Sequence, residues 1–168
     1  MLEVRYRKGV ELPGLGLWLD PAKRQALAFV SHAHSDHLGA HAEVLLTEAT
    51  AVLMRARIGG RRAERRVAFG AATELNGAVA RLLPAGHITG SAQLHLETEA
   101  GSLLYTGDFK LRASRSAAEA TPTSATEDAE SPTPQTRGGA FGLKAERAQP
   151  FLGAAMGLGA AMVHSFTA

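Results

Sequence analysis

The chain has 168 residues, 45% of them hydrophobic and 20% charged, which suits one soluble folded unit with a core. It contains no cysteine, which excludes a disulfide framework, a thiolate nucleophile and cysteine-bound zinc, so any metal must sit on histidine and carboxylate. A formal charge of +2 permits an acidic partner such as nucleic acid without demanding one.

Residues 2–111 read as short apolar runs broken by turn residues. Strands are expected at Leu2 to Tyr6, Leu15 to Leu19, Ala26 to Ser31, Val44 to Thr47, Val79 to Leu83, Gln93 to Thr98 and Ser102 to Tyr105. Pro13-Gly14, Asp20-Pro21, Asn76-Gly77 and Ala100-Gly101 punctuate them. Glu48 to Ile58 lacks such breaks and is rich in Ala, Leu, Met and Arg, so it reads as a helix ended by Gly59-Gly60. Many strands and few helices give a sheet-rich α/β layer structure. Met1 to Val10 is charged and has no apolar signal core, which points to a cytoplasmic protein.

Between Ala51 and Phe69 stand six arginines, Arg55, Arg57, Arg61, Arg62, Arg65 and Arg66, against one acid, Glu64. That run is either a solvated basic face or a contact surface for a nucleic-acid backbone. From Arg112 to Ala140 there is no Val, Ile, Leu, Met, Phe, Tyr or Trp, too little apolar area to offset the entropy of ordering, so residues 112–149 are expected to be disordered. Residues 150–168 form a short apolar tail, a loosely attached helix at most, whose Phe151 to Val163 run is too short and glycine-rich to span a membrane.

The strongest signal is Phe29-Val30-Ser31-His32-Ala33-His34-Ser35-Asp36-His37, a hydrophobic strand running into four potential metal ligands. A strand end holds its backbone stiffly. Imidazoles at alternate positions, His32 and His34, can therefore converge, while Asp36 and His37 on the following turn face a neighbouring point, enough to build two adjacent metal sites. The competing reading, a polar loop that happens to be rich in histidine, fits this spacing poorly. Gly86-His87-Ile88-Thr89-Gly90-Ser91 and Leu103-Leu104-Tyr105-Thr106-Gly107-Asp108-Phe109 each follow an apolar run and place a polar residue on a loop where glycine allows close approach. Asp108, at a strand end, is suited to bridging two cations.

With Asp20 after Leu17-Trp18-Leu19, this order resembles the metallo-β-lactamase superfamily: an aspartate, an HxHxDH loop, a later histidine and a later aspartate. The resemblance covers roughly residues 1–113, and the form Pro84-Ala85-Gly86-His87-Ile88-Thr89-Gly90-Ser91-Ala92 looks most like the β-CASP branch. That branch comprises nucleases related to the cleavage-and-polyadenylation endonuclease and to bacterial ligase-associated exonucleases. It implies the αββα sandwich, of which residues 1–111 would supply the N-terminal half, and hydrolysis of phosphodiester bonds in RNA or DNA. Position by position, it makes His32, His34 and His87 ligands of one metal, Asp36 and His37 ligands of a second, and Asp108 the bridge. Asp20 would position the HxHxDH loop by hydrogen bonds. Two divalent ions, zinc first among them, would hold a water or hydroxide as nucleophile between metals about 3.5 to 4 Å apart, with Asp36 helping to orient it.

The chain departs from the family's pattern after Leu111. A cap domain, the later acid and histidine motifs and a further ligand of the second metal are not recognisable there. Val163-His164-Ser165-Phe166 holds the one histidine beyond His95 and does not match. These departures imply impaired turnover and suggest a truncated or frame-shifted product. A half-sandwich would also expose sheet to self-association. Two alternatives accompany the nuclease reading: an inactive metal-binding remnant or interaction module, and a hydrolase of thioesters or lactones. Of the other residues, His41 is expected at the surface or as a cap, His95 on the outward side of a strand, and Trp18 and Tyr105 in core or strand positions.

Overall fold

Glu43-Val44-Leu45-Leu46 has almost no polar side to offer water. In the computed structural model, which describes residues 2–7 and 9–110 and a strand at Val163–Phe166, it lies inside a sheet with a neighbour on each side, and Val44 to Leu46 are buried on both faces. That sheet has six strands in chain order: β1 (Arg5–Tyr6), β2 (Val10–Leu12), β3 (Leu17–Leu19), β4 (Leu27–Phe29), β5 (Glu43–Leu46) and β6 (Ala63–Arg66). The first three are antiparallel and β3 to β6 are parallel. Helix α1 (Glu48–Ile58) makes the crossover from β5 to β6, the kind of connection parallel neighbours need.

Alternation along these strands creates two apolar layers. Leu27, Phe29 and Leu45 face the second sheet, whereas Val30, Val44 and Leu46 pack with Ala51 and Met54 of α1. The second sheet is antiparallel: β7 (Ala72–Leu75), β8 (Ala78–Pro84), β9 (Ala92–Thr98), β10 (Gly101–Tyr105) and β11 (Val163–Phe166), ordered β11-β10-β9-β8-β7. Ala78, Ala80 and Leu82 of β8, Ala92, Leu94 and Leu96 of β9, and Leu103 and Tyr105 of β10 face the first sheet. On the opposite side Arg81 pairs with Glu97 at 2.8 Å. The described residues thus form a helix layer, a mixed sheet and an antiparallel sheet, the N-terminal part of an α/β sandwich. None of the helices described is long and apolar enough to cross a membrane.

Helix α1 has the bounds expected. Thr47 caps it by accepting from the Thr50 backbone N–H, and Gly59, at φ 51°, ends it. The strand expected at Leu15 begins at Leu17 because Pro13–Leu15 make a 3-10 turn closed by Gly16 at φ 58°. The strand expected from Leu2 is confined to Arg5–Tyr6. Strands β2, β6 and β7 were not expected. Ala63-Glu64-Arg65-Arg66 has no apolar period, and its pairing with β5 supplies the order that its side chains do not signal. Asn76 and Gly77, with φ 51° and 87°, turn β7 into β8, and Asn76 Nδ2 ties that hairpin to Leu15 O at 2.8 Å. In the tail read as a helix at most, Val163–Phe166 is instead a strand at the edge of the sheet, paired with β10. The segment expected to be disordered, 112–149, lies outside the described residues.

Candidate metal centre

Strand β4 ends at Phe29, and the chain continues through Val30 and Ser31 into the histidine run on the edge where both sheets finish. Ala92 N–H donates to Ser31 O at 2.9 Å and Lys110 N–H to Ala85 O at 2.8 Å, which ties the loops after β4, β8 and β10 together. Two glycines make the approach possible. A Cβ on Gly107 would come within 2.8 Å of the Ser31 side chain, and one on Gly90 within 2.8 Å of Thr50 N. Both have positive φ, 54° and 80°. The Gly90 carbonyl accepts from the hydroxyls of Thr47 and Thr50 at 2.8 and 2.9 Å, so the cap of α1 also anchors the loop carrying His87. Ser91 Oγ accepts from the backbone N–H of His87 at 3.0 Å and of Ile88 at 3.2 Å, fixing that loop's turn.

The result is a cluster of four: His32, His34, His87 and Asp108 offer ligand atoms that all lie within 4.8 Å of one another. His34 Nδ1 is 2.9 Å from His32 Nε2 and 3.2 Å from His87 Nε2, and Asp108 Oδ2 lies 3.8 and 3.7 Å from those same two nitrogens. One imidazole nitrogen has one lone pair, so two such contacts on His34 Nδ1 cannot both be good hydrogen bonds. A divalent cation at the centre would use all three lone pairs at once. With metal–nitrogen bonds of about 2.0 to 2.1 Å, ligand atoms around a tetrahedral zinc stand roughly 3.3 Å apart, which the observed separations bracket. His32 Nδ1 lies 2.9 Å from Ser31 Oγ, a contact that lets Nδ1 carry the proton and leaves Nε2 free as a ligand. The donor set fits zinc and accepts other first-row divalent metals.

Asp36 and His37 lie beside this cluster. Ser35–His37 is a 3-10 turn that swings His37 Nε2 to 3.5 Å from Asp36 Oδ2 and 3.8 Å from Asp108 Oδ2. Asp108 Oδ2 therefore faces imidazoles of both groups. The Asp36 side chain is 77% exposed, so it presents to solvent.

Asp20 holds the arrangement from behind. It adopts φ 44°, a left-handed conformation in which a non-glycine residue is uncommon. Its Oδ1 accepts from Ser31 N–H at 2.7 Å, while Oδ2 accepts from Tyr105 OH at 3.1 Å and lies 3.2 Å from His37 Nδ1. One buried carboxylate thus fixes the first residue of the histidine run, its last histidine and the end of β10. Ser31 and Tyr105 had not been singled out for such roles. Their only sequence signal is adjacency, Ser31 before His32 and Tyr105 three positions before Asp108.

Burial, reinforced by His37, lowers the His32 pKa from 6.5 to about 3, so its imidazole is neutral at physiological pH. Burial also lowers His87, outweighing the attraction of Asp108. At His37 burial acts downward, yet the contact with Asp20, aided by Asp36 and Asp108, raises the pKa overall. The Tyr105 hydroxyl is pushed well above its ordinary value by burial and by Asp20, so it remains a proton donor.

The arginine run is less free than its composition suggests. Arg55 and Arg66 share Glu64 at 2.6 and 2.8 Å, Arg66 reaches Glu48 at 3.1 Å, and Arg65 pairs with Glu43. Glu43 and Glu48 arrive from β5 and α1, beyond the reach of a local charge count. Among the described residues, Arg57 and Arg61 are exposed without an ion pair. His95 is half-buried on the outer side of β9, 3.6 Å from Glu97 and away from the cluster. His41, expected at the surface or as a cap, is 2% exposed. It tucks beneath Gly39 and accepts from the Gln25 backbone N–H at 3.2 Å.

Comparison with known proteins bears on this geometry. A probable DNA ligase from Opitutus terrae (strain DSM 11246 / JCM 15787 / PB90-1) is 53% identical over 117 residues, covering 68% of this chain and 12% of that protein. The chain thus spans about an eighth of the length of the curated relative it matches. A crystal structure of a protein of unknown function from Enterococcus faecalis V583 matches 51% of this chain and 25% of its own at 17% identity, with a TM-score of 0.42. The family model described as the metallo-beta-lactamase superfamily matches residues 21–134, more than half of the chain and inclusive of every member of the cluster. The chain belongs to the metallo-beta-lactamase superfamily.

Proposed function

We propose that this chain is the metal-binding part of a hydrolase of nucleic-acid phosphodiester bonds, of the β-CASP nuclease kind. The observation that carries the reading is the convergence of His32, His34, His87 and Asp108 from three separate loops onto one point. The Gly86 to Ala92 sequence and the similarity to a protein described as a probable DNA ligase support nucleic acid over a thioester or lactone as substrate. His32 Nε2, His34 Nδ1, His87 Nε2 and Asp108 would hold one divalent ion, zinc first among candidates, and Asp36 and His37, with Asp108 between, a second. Such ions supply Lewis acidity to water and to a phosphoryl oxygen.

The chain's own groups do the rest. His32, neutral at physiological pH, offers its lone pair without first losing a proton. Asp20 orients His37 through Nδ1 and keeps Nε2 aimed at Asp36 and Asp108. The exposed Asp36 carboxylate would help orient the attacking water. Exposed Arg57 and Arg61 would offer free positive charge to a phosphate backbone, as would Arg55, Arg65 and Arg66 when a phosphate displaces their acidic partners, whereas Arg62, with its side chain 3% exposed, would stay out of that contact.

A second reading, metal binding without turnover, is favoured by one observation: Asp36, a ligand of the second ion in the first reading, is 77% exposed and lies outside the four-residue cluster. Metal-loaded protein incubated with end-labelled single-stranded and duplex DNA and RNA separates the two. Cleavage that disappears in Asp108→Ala supports the nuclease; metal uptake without cleavage supports the second reading. Cleavage unchanged by that substitution identifies a contaminant and removes the support for both roles of Asp108.

A further inference from the structure

The Tyr105 side chain fills the core as a phenylalanine would. Its ring meets Phe29 edge to face at 6.1 Å, and the residue is 4% exposed. What tyrosine adds there is a buried hydroxyl, which destabilises the fold unless it is hydrogen-bonded. That hydroxyl donates to Asp20 Oδ2 at 3.1 Å, and the bond joins β10 of one sheet to the residue that follows β3 of the other.

The two oxygens of Asp20 meet different groups. Oδ1 accepts from Ser31 N–H at 2.7 Å, whereas Oδ2 lies 3.2 Å from His37 Nδ1, a buried atom with no hydrogen-bond partner among the described residues. The contact with His37 lacks hydrogen-bond geometry, so it does not itself hold the carboxylate in place. The torsion that turns a carboxylate on its stem is soft, and the Ser31 bond restrains one oxygen only. Tyr105 supplies the second restraint, the one that keeps Oδ2 beside Nδ1. An anionic oxygen at that distance attracts a proton to Nδ1 and leaves the lone pair on Nε2. His37 Nε2 is the nitrogen that faces Asp36 Oδ2 at 3.5 Å and Asp108 Oδ2 at 3.8 Å. In the four-residue cluster, His32 Nδ1 is matched instead by Ser31 Oγ at 2.9 Å, a bond that does not involve Tyr105.

We propose, resting on the two-ion reading of the site, that Tyr105 is a positioning residue for the second cation: through Oδ2 of Asp20 its hydroxyl keeps His37 Nε2 available as a ligand beside Asp36 and Asp108. Removing the hydroxyl should therefore loosen the second ion and spare the first.

The test is a calorimetric zinc titration of the full 168-residue chain and of Tyr105→Phe. The parent should bind two ions in separable steps. Tyr105→Phe, which keeps the ring, should bind the first ion as the parent does and the second about tenfold or more weakly. Asp20→Asn should also weaken the second ion, and the double variant should be no weaker than Asp20→Asn alone, because Tyr105 acts through that carboxylate. A parent that binds fewer than two ions overturns the two-ion reading and the role of Tyr105 together. A parent that binds two, with Tyr105→Phe unchanged at both steps or weakened equally at both, or with additive losses in the double variant, overturns the role of Tyr105 alone. Should Tyr105→Phe not fold, carbon NMR of tyrosine-labelled parent decides. Of its two tyrosines, Tyr6 is 72% exposed and serves as the internal control, while the Cζ resonance of Tyr105 should move with the second equivalent of zinc; no movement at that step overturns the proposal.

Discussion

Replacing Asp20 by alanine removes a carboxylate whose side chain is only 3% exposed and strands three groups at once. Ser31 N–H loses its 2.7 Å acceptor and Tyr105 OH its 3.1 Å acceptor, while His37 loses the carboxylate charge 3.2 Å from Nδ1, a contact without hydrogen-bond geometry. Unsatisfied buried donors cost about 1 to 3 kcal/mol each, and breaking a buried charged pair about 3 to 5 kcal/mol, so with partial relaxation the loss should be about 3 to 5 kcal/mol. Asp20→Asn keeps an acceptor on Ser31 N–H and tolerates the positive φ, so it should lose only about 1 to 2 kcal/mol. Urea melts of the three proteins, compared at equal slope, measure both numbers. A second readout comes from His37: its pKa is raised by Asp20 against the effect of burial, so in Asp20→Asn it should fall, as followed by NMR titration. An alanine variant within about 1 kcal/mol of the parent, or an asparagine variant as unstable as the alanine one, would refute the view that Asp20 holds the histidine run.

Two further expectations follow from the same geometry. In the metal-free protein His32 has its pKa depressed from 6.5 to about 3. Between those values the unfolded chain binds a proton that the folded chain lacks. Stability is therefore fully present above the unfolded pKa and falls with acid by up to about 1.4 kcal/mol per pH unit for each such proton. His87 and His41 are depressed and act with the same sign. The raised His37 is protonated in both states across that acid window and adds no slope there, its contribution being lost only as pH rises through its folded value. Melts from neutral to mildly acidic pH that show no loss would contradict this. Gly90→Ala would place a Cβ 2.8 Å from Thr50 N at φ 80°, which should cost about 2 to 4 kcal/mol and weaken metal binding by displacing His87. Parallel thermal melts and zinc titrations check it, and retention of both properties would show that the loop has room to move.

The helix was legible because Glu48 to Ile58 is unbroken and followed by Gly59-Gly60, two local signals that agree. Strands β8, β9 and β10 were legible for a similar reason, since apolar alternation marks the face each turns to the core. β6 was not, because Ala63-Glu64-Arg65-Arg66 is ordered by a parallel partner far off in sequence and its side chains carry no period. The same distance hid Glu43 and Glu48 as partners of the arginine run. At the site, the His32-to-His37 spacing announced ligands, and the resemblance to a family linked them to His87 and Asp108. What no local pattern announced was the support: the Tyr105 hydroxyl on Asp20, the threonine hydroxyls on Gly90 and the burial of His41. Each joins segments that become neighbours only once the two sheets and the helix have packed.

Zinc uptake by the full chain, measured by elemental analysis after equilibrium dialysis, tests the metal centre most directly. The folded parent should retain at least one ion per chain, and His87→Ala, with its far-UV circular dichroism intact, should lose the tightly held ion. A folded parent that retains none, or a His87→Ala variant that holds zinc as tightly as the parent, would contradict a cation site built from His32, His34, His87 and Asp108.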